Sequence, residues 1–385
     1  MESSHKVLLL GASGSIGSQT IDIINEASDK FTLIAFSVGK NLEKAQEILR
    51  NFPSVECVYI TDKANAKILK KEFPKVKVFS GKGGLAKITK IADYTMCVDA
   101  LVGFAGMEPA IIALKKDKIL CLANKEALVT GGQVINSIIA RGLGKLYPID
   151  SEHVALAKCL TNCKPDQVKR LIITASGGAL RNVPLEELEN IKAEQALQHP
   201  TWKMGNKITI DCATMMNKGF EIIEAAYLYG CPLEKISVMM HDESLVHSAV
   251  ELKDGTFLVD YGKPDMHKPI KWAMYEGKIE NDVMKVKSFN QFRACHFREY
   301  DPNRYPCTEL AKQAWKDGPS RMIALNAANE VLVNKYLKGE IKFTDIAKGV
   351  REIVQKVPAV KYTTLPLIKY IDKHVRKETE RCLIQ

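Results

Sequence analysis

The sequence predicts an α/β protein with an N-terminal doubly wound domain, a central α/β domain with an antiparallel portion, and a C-terminal helical bundle. Over roughly the first 150 residues, short apolar runs alternate with amphipathic helical patterns, which is typical of a parallel sheet covered by helices. Residues Ile236–Tyr261 alternate on both sides of an Asp254-Gly255 turn, and we expect a hairpin there. From Thr308 onward the pattern is almost entirely helical.

These patterns divide the chain into elements and regions. The predicted strands of the first domain are Val7–Leu10, Leu33–Val38, Cys57–Thr61, Tyr94–Ala100 and Ile119–Ala123. The predicted C-terminal helices cover Thr308–Trp315, Ile323–Tyr336 and Phe343–Gln355. We expect a doubly wound domain at 1–149, a second domain at 150–278, an irregular connector at 279–306 and a helical domain at 307–385.

Composition is that of an ordinary globular protein, with 385 residues of which 46% are hydrophobic and 26% charged. The sequence has no run of about 18 apolar residues and no secretory pattern, so we expect neither a membrane span nor a signal peptide. Ten scattered cysteines favour a reducing cytoplasm. The net charge of +10 is spread along the chain, which favours small anionic ligands over nucleic acid.

A glycine-rich turn follows the first predicted strand, in the segment Gly11-Ala-Ser-Gly-Ser-Ile-Gly17. Gly11 permits a sharp turn, Gly14 lets the backbone approach a pyrophosphate, and Gly17 allows the next helix to pack closely. The N-terminus of that helix offers free N–H groups to an anion. Because a strand precedes the turn and a helix and second strand follow it, we predict the dinucleotide site of a Rossmann domain, in preference to a purely structural turn.

The end of the second predicted strand distinguishes between the two nicotinamide cofactors. It contains Ser37-Val-Gly-Lys-Asn41, which has no carboxylate. Enzymes that prefer NAD place Asp or Glu here to bond the ribose 2′-hydroxyl, whereas a nearby cation accommodates the 2′-phosphate of NADP. Lys40 is suited to that phosphate, so the sequence favours NADP.

Acidic residues in two segments are candidates for a metal site. Asp150 and Glu152 are one residue apart, and in an extended segment both would point to one face. Paired hard oxygen donors suit Mg²⁺ or Mn²⁺, although a solvated strand face is the alternative. On a helix Asn217 and Glu221 share a face, with Lys218 beside them. A carboxylate beside an amide and an ammonium is compatible with a metal and a phosphate.

Two further segments are rich in polar groups. Ser176 lies in Thr174-Ala-Ser-Gly-Gly178, a glycine-containing loop suited to an anion. The segment His199–Lys207 has Trp202 in its middle. It is either a lid that excludes water from an active site or a surface loop with one partly buried tryptophan.

Together these segments resemble the 1-deoxy-D-xylulose 5-phosphate reductoisomerase family, the NADPH-dependent enzymes of the non-mevalonate isoprenoid pathway. The similar segments occur in the order found in the family and span almost the whole chain. They are Gly11–Gly17, Ala123–Ala127, Pro148–His153, Thr174–Gly178, His199–Trp202, Ala213–Gly219 and Ala324–Glu330.

The resemblance, with the glycine turn, implies a set of site residues. Those implied to be catalytic are Lys125, Asp150, Glu152 and Glu221, and the three acids among them are the implied metal ligands. Those implied to bind substrate are Lys125, Ser151, Glu152, Ser176, His199, Trp202, Cys212, Asn217, Lys218 and Glu221. Those expected to bind the cofactor are Gly11, Ala12, Ser13, Gly14, Ser15, Ile16, Gly39, Lys40, Asn41, Ala100, Asn124, Glu126 and Met266.

Specific roles follow from the same resemblance. Ser176, Asn217 and Lys218 would bind the phosphate, and Lys125 and Ser151 would contact the reacting ketone and hydroxyl. The implied reaction converts 1-deoxy-D-xylulose 5-phosphate to 2-C-methyl-D-erythritol 4-phosphate. A retro-aldol and aldol rearrangement gives a branched aldehyde, which NADPH reduces, and Mg²⁺ or Mn²⁺ acts as Lewis acid. The family architecture also implies a homodimer.

Three segments depart from the family pattern beside the expected site. Cys212 stands in place of a serine and is a poorer donor to phosphate, Ala179-Leu180 replaces Pro-Phe, and Asp242-Glu243 replaces Pro-Gln. One alternative is therefore a sister enzyme for ribulose 5-phosphate or fructose 6-phosphate. There Glu243 would accept a hydrogen bond from the 1-hydroxyl, and the product would be a branched sugar-alcohol phosphate for polysaccharide synthesis. A catalytically degenerate NADP-binding homologue and a plain dehydrogenase are further alternatives.

Overall fold

A computed structural model describes residues 4–278 and 294–381 of the chain. By its internal contacts the chain divides into two compact units. Unit 1 comprises Met1–Ala127, Val134–Asp150 and Asp265–Glu280; unit 2 comprises Leu128–Gln133, Ser151–Pro264 and Asn281–Gln385. Residues 279–293, the first part of the predicted connector, lie outside the described residues. The four boundaries predicted from sequence stay a prediction.

The regular elements of the described residues are numbered in chain order. The strands are β1 (His5–Leu10), β2 (Phe31–Val38), β3 (Cys57–Ile60), β4 (Lys77–Ser80), β5 (Met96–Asp99), β6 (Ile119–Leu122), β7 (Lys145–Pro148), β8 (Val168–Ala175), β9 (Ile236–Met240), β10 (Val246–Leu252), β11 (Phe257–Tyr261) and β12 (Arg298–Glu299). The α-helices are α1 (Ser15–Glu26), α2 (Leu42–Asn51), α3 (Lys63–Glu72), α4 (Gly84–Ile91), α5 (Met107–Lys115), α6 (Lys125–Ile139), α7 (Ser151–Leu160), α8 (Ala193–Ala196), α9 (Asn206–Ala213), α10 (Met216–Tyr229), α11 (His267–Met274), α12 (Pro306–Asp317), α13 (Pro319–Leu337), α14 (Phe343–Lys356) and α15 (Leu365–Arg381).

Unit 1 contains a seven-stranded sheet in the order β4-β3-β2-β1-β5-β6-β7, with every neighbouring pair parallel. Val7–Leu10 of the central strand are completely buried, as expected for parallel strands covered on both faces. The strand order reverses at β1, and such a reversal opens a crevice at the carboxyl ends of the strands. The Gly11 turn follows β1 at this point, and Ala100 follows β5.

The segment that returns to unit 1 late in the chain contributes helix α11. This helix packs against α1, and the Cys121 thiol on β6 donates to the Ala273 carbonyl at 3.4 Å. The rings of Trp272 and Tyr147 are 6.2 Å apart in an edge-on arrangement. Met266, directly before α11, packs against the apolar core of the same unit.

Unit 2 contains a five-stranded mixed sheet in the order β11-β10-β8-β9-β12. The predicted hairpin is confirmed for β10 and β11, which pair antiparallel across a turn where Gly255 has a φ of +89°. The part of that prediction covering Ile236–Met240 is wrong, because β9 pairs parallel with β8. Helix α10 lies between β8 and β9 in the chain, and a helical crossover brings the second strand back in the same direction.

The C-terminal part of unit 2 is helical, as predicted. The long helix α13 is largely buried and contacts α12, α14 and α15. The three predicted helices correspond to α12, α13 and α14, whereas α15 was not predicted. The α/β fold class is thus confirmed. Within residues 4–278 and 294–381, no helix has the length and apolar character needed to cross a membrane.

Candidate active site

The glycine turn has the backbone geometry that its sequence predicts. Gly11 has a φ of +85°, and a Cβ there would lie 2.5 Å from the Ala100 carbonyl oxygen. A Cβ on Gly17 would lie 2.2 Å from the Gly11 carbonyl oxygen. Helix α1 starts at Ser15 with no acidic residue in its first turn. The turn and the helix N-terminus therefore leave backbone N–H groups, without a competing carboxylate, to bind a diphosphate.

The end of β2 supports the turn and bears the expected cation. The Ser37 hydroxyl accepts from the Gly11 N–H at 2.9 Å, so this serine supports the turn. Gly39 and Lys40 are exposed. The Asn41 side chain accepts from the Lys44 N–H at 2.9 Å and caps α2. Lys40 thus remains the charged group suited to a 2′-phosphate, whereas the Asn41 side-chain oxygen serves helix α2.

At the carboxyl end of β6, Asn124 and Lys125 form the start of α6. The Asn124 amide N–H groups donate to the carbonyls of Leu101 and Gly103 at 2.9 and 2.8 Å. The Lys125 ammonium donates to Asp150 Oδ2 at 2.6 Å, and both side chains are largely buried. The structure thus brings together two of the predicted catalytic residues within unit 1.

The backbone around the paired acids differs from the sequence prediction. An extended segment was expected for Asp150 and Glu152, but helix α7 begins at Ser151, so Glu152 lies in its first turn. The Ser151 hydroxyl donates to Glu152 Oε2 at 2.6 Å. These two acids therefore do not lie on one face of a strand. The position of Glu152 is set by the first turn of α7.

Helix α10 supplies the third acid and its neighbours, as predicted from their helical spacing. The Asn217 amide donates to Glu221 Oε1 at 2.5 Å, within one turn of the helix. The Lys218 ammonium donates to Glu152 Oε1 at 2.5 Å and to Glu221 Oε2 at 2.6 Å. All three α10 side chains are buried. One ammonium therefore bridges two carboxylates that stand on different helices.

The three predicted metal ligands are close enough to share one ion. One carboxylate oxygen from each of Asp150, Glu152 and Glu221 lies within 4.8 Å of the others. Oxygen-only donor sets of this kind suit Mg²⁺ and Mn²⁺ rather than soft metals. Among the described residues this is also the one group of three or more acids, histidines or cysteines that meets that spacing.

Ser176 and His199 meet at the carboxyl end of β8. His199 Nε2 lies 3.1 Å from the Ser176 hydroxyl, and His199 Nδ1 accepts the N–H groups of Thr201 and Trp202 at 3.2 and 3.0 Å. Burial, with help from the cationic Arg181 and Lys218, lowers the pKa of His199 to about 4. The neutral ring therefore carries its proton on Nε2, which donates toward Ser176.

The neighbourhood of the Ser176 loop includes the residue that departs from the family pattern. Gly177 and Gly178 both have positive φ values. A Cβ on Gly178 would lie 2.7 Å from Ala213 Cα and 2.8 Å from the carbonyl carbon of Cys212. The loop thus packs closely on the end of α9, and Cys212 lies beside it. Leu180, part of the second departure, is buried.

Trp202 is partly buried, and its ring centre lies 6.3 Å from that of His247. Burial also lowers the pKa of His247. This histidine was not predicted from the sequence, because it lies within strand β10 between Val246 and Ser248 and belongs to no polar motif. Arg181, whose guanidinium donates to the Ser176 carbonyl at 3.2 Å, was missed as well.

The structure does not support the substrate role suggested for Glu243. Its carboxylate lies 2.5 Å from His296 Nδ1 and 3.0 Å from His241 Nδ1. The adjacent Asp242 accepts from the Arg298 guanidinium at 2.8 Å. Both added acids are therefore bonded to cationic or titratable side chains of unit 2, because the segment at 296–298 runs beside β9.

Family models cover most of the chain. The model described as 1-deoxy-D-xylulose 5-phosphate reductoisomerase matches residues 7–132, that of the C-terminal domain of the same enzyme matches 146–229, and a second C-terminal model matches 261–378. Two curated proteins carrying this enzyme name are similar to the chain. The protein of Geobacillus sp. (strain WCH70) is 40% identical over 96% of this chain and 98% of its own, and that of Leptospira interrogans is 41% identical over 91% and 90%.

Solved structures agree with the sequence relatives. A reductoisomerase in complex with NADPH, fosmidomycin and magnesium is 32% identical, with a TM-score of 0.89 and 98% of both chains covered. The enzyme from Zymomonas mobilis in complex with NADPH is 34% identical, with a TM-score of 0.88 and coverage of 98% of this chain and 99% of its own. The chain therefore belongs to the 1-deoxy-D-xylulose 5-phosphate reductoisomerase family.

Proposed function

We propose that this protein converts 1-deoxy-D-xylulose 5-phosphate to 2-C-methyl-D-erythritol 4-phosphate, using NADPH and a divalent cation. The observation that carries the proposal is the carboxylate group Asp150, Glu152 and Glu221 in a chain about 40% identical to named reductoisomerases over nearly its full length. A plain dehydrogenase has no need of three clustered acids beside a buried ammonium.

The first unit fits NADPH. The glycine turn would bind the pyrophosphate through its backbone N–H groups. Side chains at Gly11 and Gly17 would clash with the backbone of this turn, so glycine is needed at both positions. The residues of the turn proposed to bind the pyrophosphate are Gly11, Ala12, Ser13, Gly14, Ser15 and Ile16. Lys40, with Gly39 and Asn41 beside it, would bind the 2′-phosphate. Ala100, Asn124, Glu126 and Met266 complete the proposed cofactor set. Bound NADPH supplies the hydride for reduction of the aldehyde.

The carboxylate group fits Mg²⁺ or Mn²⁺ by donor type and spacing. When bound, the cation supplies Lewis acidity and a template for two neighbouring substrate oxygens. Asn217 holds Glu221 through its amide donor, and Ser151 holds Glu152 through its hydroxyl. These contacts orient the two acids before a ligand arrives.

Two buried lysines can handle protons and negative charge at the reacting end. Lys125 donates from Nζ to Asp150 Oδ2, so it can hold a proton beside a substrate oxygen and return it. Lys218 balances the charge of Glu152 and Glu221. A divalent cation on those acids would compete for the same oxygens, and the ammonium could then bind the substrate phosphate.

The phosphate and lid residues of unit 2 fit an anionic substrate. The neutral His199 presents Nε2–H beside the Ser176 hydroxyl, so both can donate to a phosphate oxygen. The His199 ring also holds the backbone of Thr201 and Trp202. Anion binding at His199 is thereby coupled to the segment that carries Trp202, which would exclude water from the cleaved fragments.

Cys212→Ser should preserve or improve substrate binding, because a hydroxyl is a better donor to phosphate than a thiol. We expect an unchanged or lower KM for deoxyxylulose phosphate and a kcat within about twofold of the parent. Steady-state kinetics with Cys231→Ser as the matched control would measure this. A severalfold rise in KM for the Cys212 variant alone would show that Cys212 does not lie beside the phosphate.

We also propose a homodimer in a reducing compartment. Strand β11 is an edge strand of its sheet, and Phe257 and Val259 on it are each 52% exposed. An exposed apolar edge is suited to pairing with a second copy. We expect a solution mass close to twice the 42.9 kDa of the chain by light scattering; a monomer at micromolar concentration would contradict this. None of the nine described cysteines forms a disulfide, which supports a reducing compartment such as the cytoplasm.

A panel of ketose phosphates tests the proposed activity. With NADPH and Mn²⁺, deoxyxylulose phosphate should be turned over, and chelation of the metal should stop the reaction. Turnover of ribulose 5-phosphate or fructose 6-phosphate in its place would revive the sister enzyme, although the contacts of Glu243 with His296 and His241 remove its structural support. No turnover with any of the three would favour a degenerate homologue.

A further inference from the structure

A buried aspartate at the carboxyl end of β5 has no role in the proposed chemistry. Asp99 is fully buried in the middle of the parallel sheet, where β5 pairs with β1 and β6. Its Oδ1 accepts from the Leu101 N–H at 3.2 Å. Its Oδ2 is buried and has no hydrogen-bond partner in the described part of the chain. A lone buried carboxylate oxygen is costly and needs a physical explanation.

The side-chain oxygen of Asn124 is a second buried acceptor at this place. This side chain is 1% exposed, and its amide nitrogen donates to the carbonyls of Leu101 and Gly103 and lies 3.2 Å from Glu126 Oε2. Since all three partners are acceptors, the orientation of the amide is determined. The oxygen Oδ1 must point the other way, where it too is buried without a partner among the described residues.

These two oxygens converge on the same place. A Cβ built on Gly106 would lie 2.6 Å from Asn124 Oδ1 and 2.8 Å from Asp99 Oδ2. Both atoms are acceptors if Asp99 is ionised, and they would then repel each other in a buried site. A proton on Asp99 Oδ2 would turn the pair into a donor and an acceptor, and a hydrogen bond between them would satisfy both groups.

The electrostatic surroundings agree with a neutral acid. Burial raises the pKa of Asp99 to about 7, with a contribution from the carboxylate of Glu126 on α6 and against the lowering effect of the Leu101 N–H. The Cys97 thiol on the same strand is also close to Asp99, and burial raises the pKa of this thiol well above its usual value. Among the residues that the structure describes, no lysine, arginine or histidine shifts the pKa of Asp99.

We propose that Asp99 is a positioning residue which, as a neutral acid, donates its carboxyl proton to Asn124 Oδ1 and so holds the turn on which Lys125 stands. Asn124 is the residue before α6, and Lys125 is the first residue of that helix. The hydrogen bond therefore ties the end of β5 to the residue that contacts Asp150. The link to catalysis rests on the proposed function, whereas the hydrogen bond itself does not.

The variant Asp99→Asn keeps a hydrogen-bond donor at this position but has no group that ionises. An asparagine Nδ2–H can donate to Asn124 Oδ1 at every pH, while its oxygen still accepts from Leu101. In the parent, the folded state keeps a proton that the unfolded aspartate loses above its ordinary value of 3.8. The parent must therefore lose stability relative to Asp99→Asn as the pH rises from about 4 to about 7, with the full difference present above that. Asp99→Leu removes both the donor and the acceptor of the Leu101 N–H, so the turn should be weaker than in Asp99→Asn at all pH values.

The test measures thermal midpoints between pH 4 and 9 and NADPH dissociation constants between pH 6 and 9. The proteins compared are the parent, Asp99→Asn, Asp99→Leu and the exposed control Asp29→Asn. We expect Asp99→Asn to have the higher midpoint at pH 8 and an NADPH affinity less dependent on pH than that of the parent, by about threefold or more over this range. Asp29→Asn should follow the parent.

A pH profile of Asp99→Asn identical to that of the parent would overturn the proposal. So would equal midpoints and affinities for Asp99→Asn and Asp99→Leu. If Asp99→Leu fails to fold, the profile of Asp99→Asn still decides. Both readouts are independent of turnover, so failure of the proposed reaction would leave this inference testable.

Discussion

Glu221→Gln should reduce kcat by about a hundredfold or more while leaving the NADPH dissociation constant nearly unchanged. Glu221 is 1% exposed and accepts from Asn217 and Lys218, so its carboxylate is held in place. An amide keeps the size and one acceptor oxygen but removes the charge that binds a divalent cation. The glycine turn that would bind NADPH belongs to unit 1, whereas Glu221 belongs to unit 2.

Three measurements check this expectation: steady-state turnover, NADPH binding by fluorescence, and Mn²⁺ binding by electron paramagnetic resonance. Glu234→Gln, at an exposed glutamate of unit 2, is the matched control and should bind Mn²⁺ like the parent. Loss of NADPH affinity in parallel with turnover would show that Glu221 has been assigned to the wrong ligand. Unchanged Mn²⁺ affinity would remove it from the metal site.

Gly17→Ala should abolish NADPH binding, even though it adds only one methyl group. The new Cβ would lie 2.2 Å from the Gly11 carbonyl oxygen and 2.7 Å from Ala12 Cα. Both are backbone atoms, so the turn itself must shift. Overpacking of this kind costs about 1–3 kcal/mol or more of stability, and the displaced N–H groups no longer converge on a pyrophosphate.

The measurements are NADPH affinity and the thermal midpoint of unfolding. We expect an affinity at least about a hundredfold weaker, with a lower midpoint. Gly205→Ala serves as control, since a Cβ there meets no atom within 4 Å and the φ of −65° suits any residue. NADPH binding by Gly17→Ala at parental affinity would contradict the pyrophosphate assignment.

Local sequence patterns predicted those strands and helices whose burial gives them a regular pattern of apolar residues. The strand Val7–Leu10 and its glycine turn were predicted because a fully buried parallel strand is apolar throughout. The strands β4 and β7 were missed. Each is four residues long and begins with an exposed lysine, so neither contains an apolar run to mark it. Helix α15 was missed because most of its residues are charged or exposed.

The resemblance to a known family supplied the residues of the candidate site. It did not supply the backbone conformation that sets the positions of their side chains. Proline at position 148 ends β7, and α7 starts three residues later, so Asp150 and Glu152 do not share a strand face. Glu243 was suggested as a contact to the 1-hydroxyl only for the alternative sister enzyme. It instead contacts His296, some fifty positions along the chain, and no local pattern reports such a partner.

The contacts that were not predicted join residues that are far apart in the sequence. Lys218 and Glu152 are 66 residues apart but lie 2.5 Å from one another, atom to atom. Asp99 lies within the predicted strand Tyr94–Ala100 and was not singled out from the sequence. Its proposed role depends on the closeness of its carboxylate to the Asn124 side chain beside Gly106. Only the folded chain brings these residues together.

The most direct test of the account is the carbon skeleton of the product formed from uniformly ¹³C-labelled deoxyxylulose phosphate with NADPH and Mn²⁺. The proposed rearrangement followed by reduction predicts a carbon bonded to three other carbons in the ¹³C spectrum, with one NADPH oxidised per product molecule. An unbranched alcohol would mean that the ketone is reduced directly. That result would contradict the rearrangement and make this protein a simple dehydrogenase.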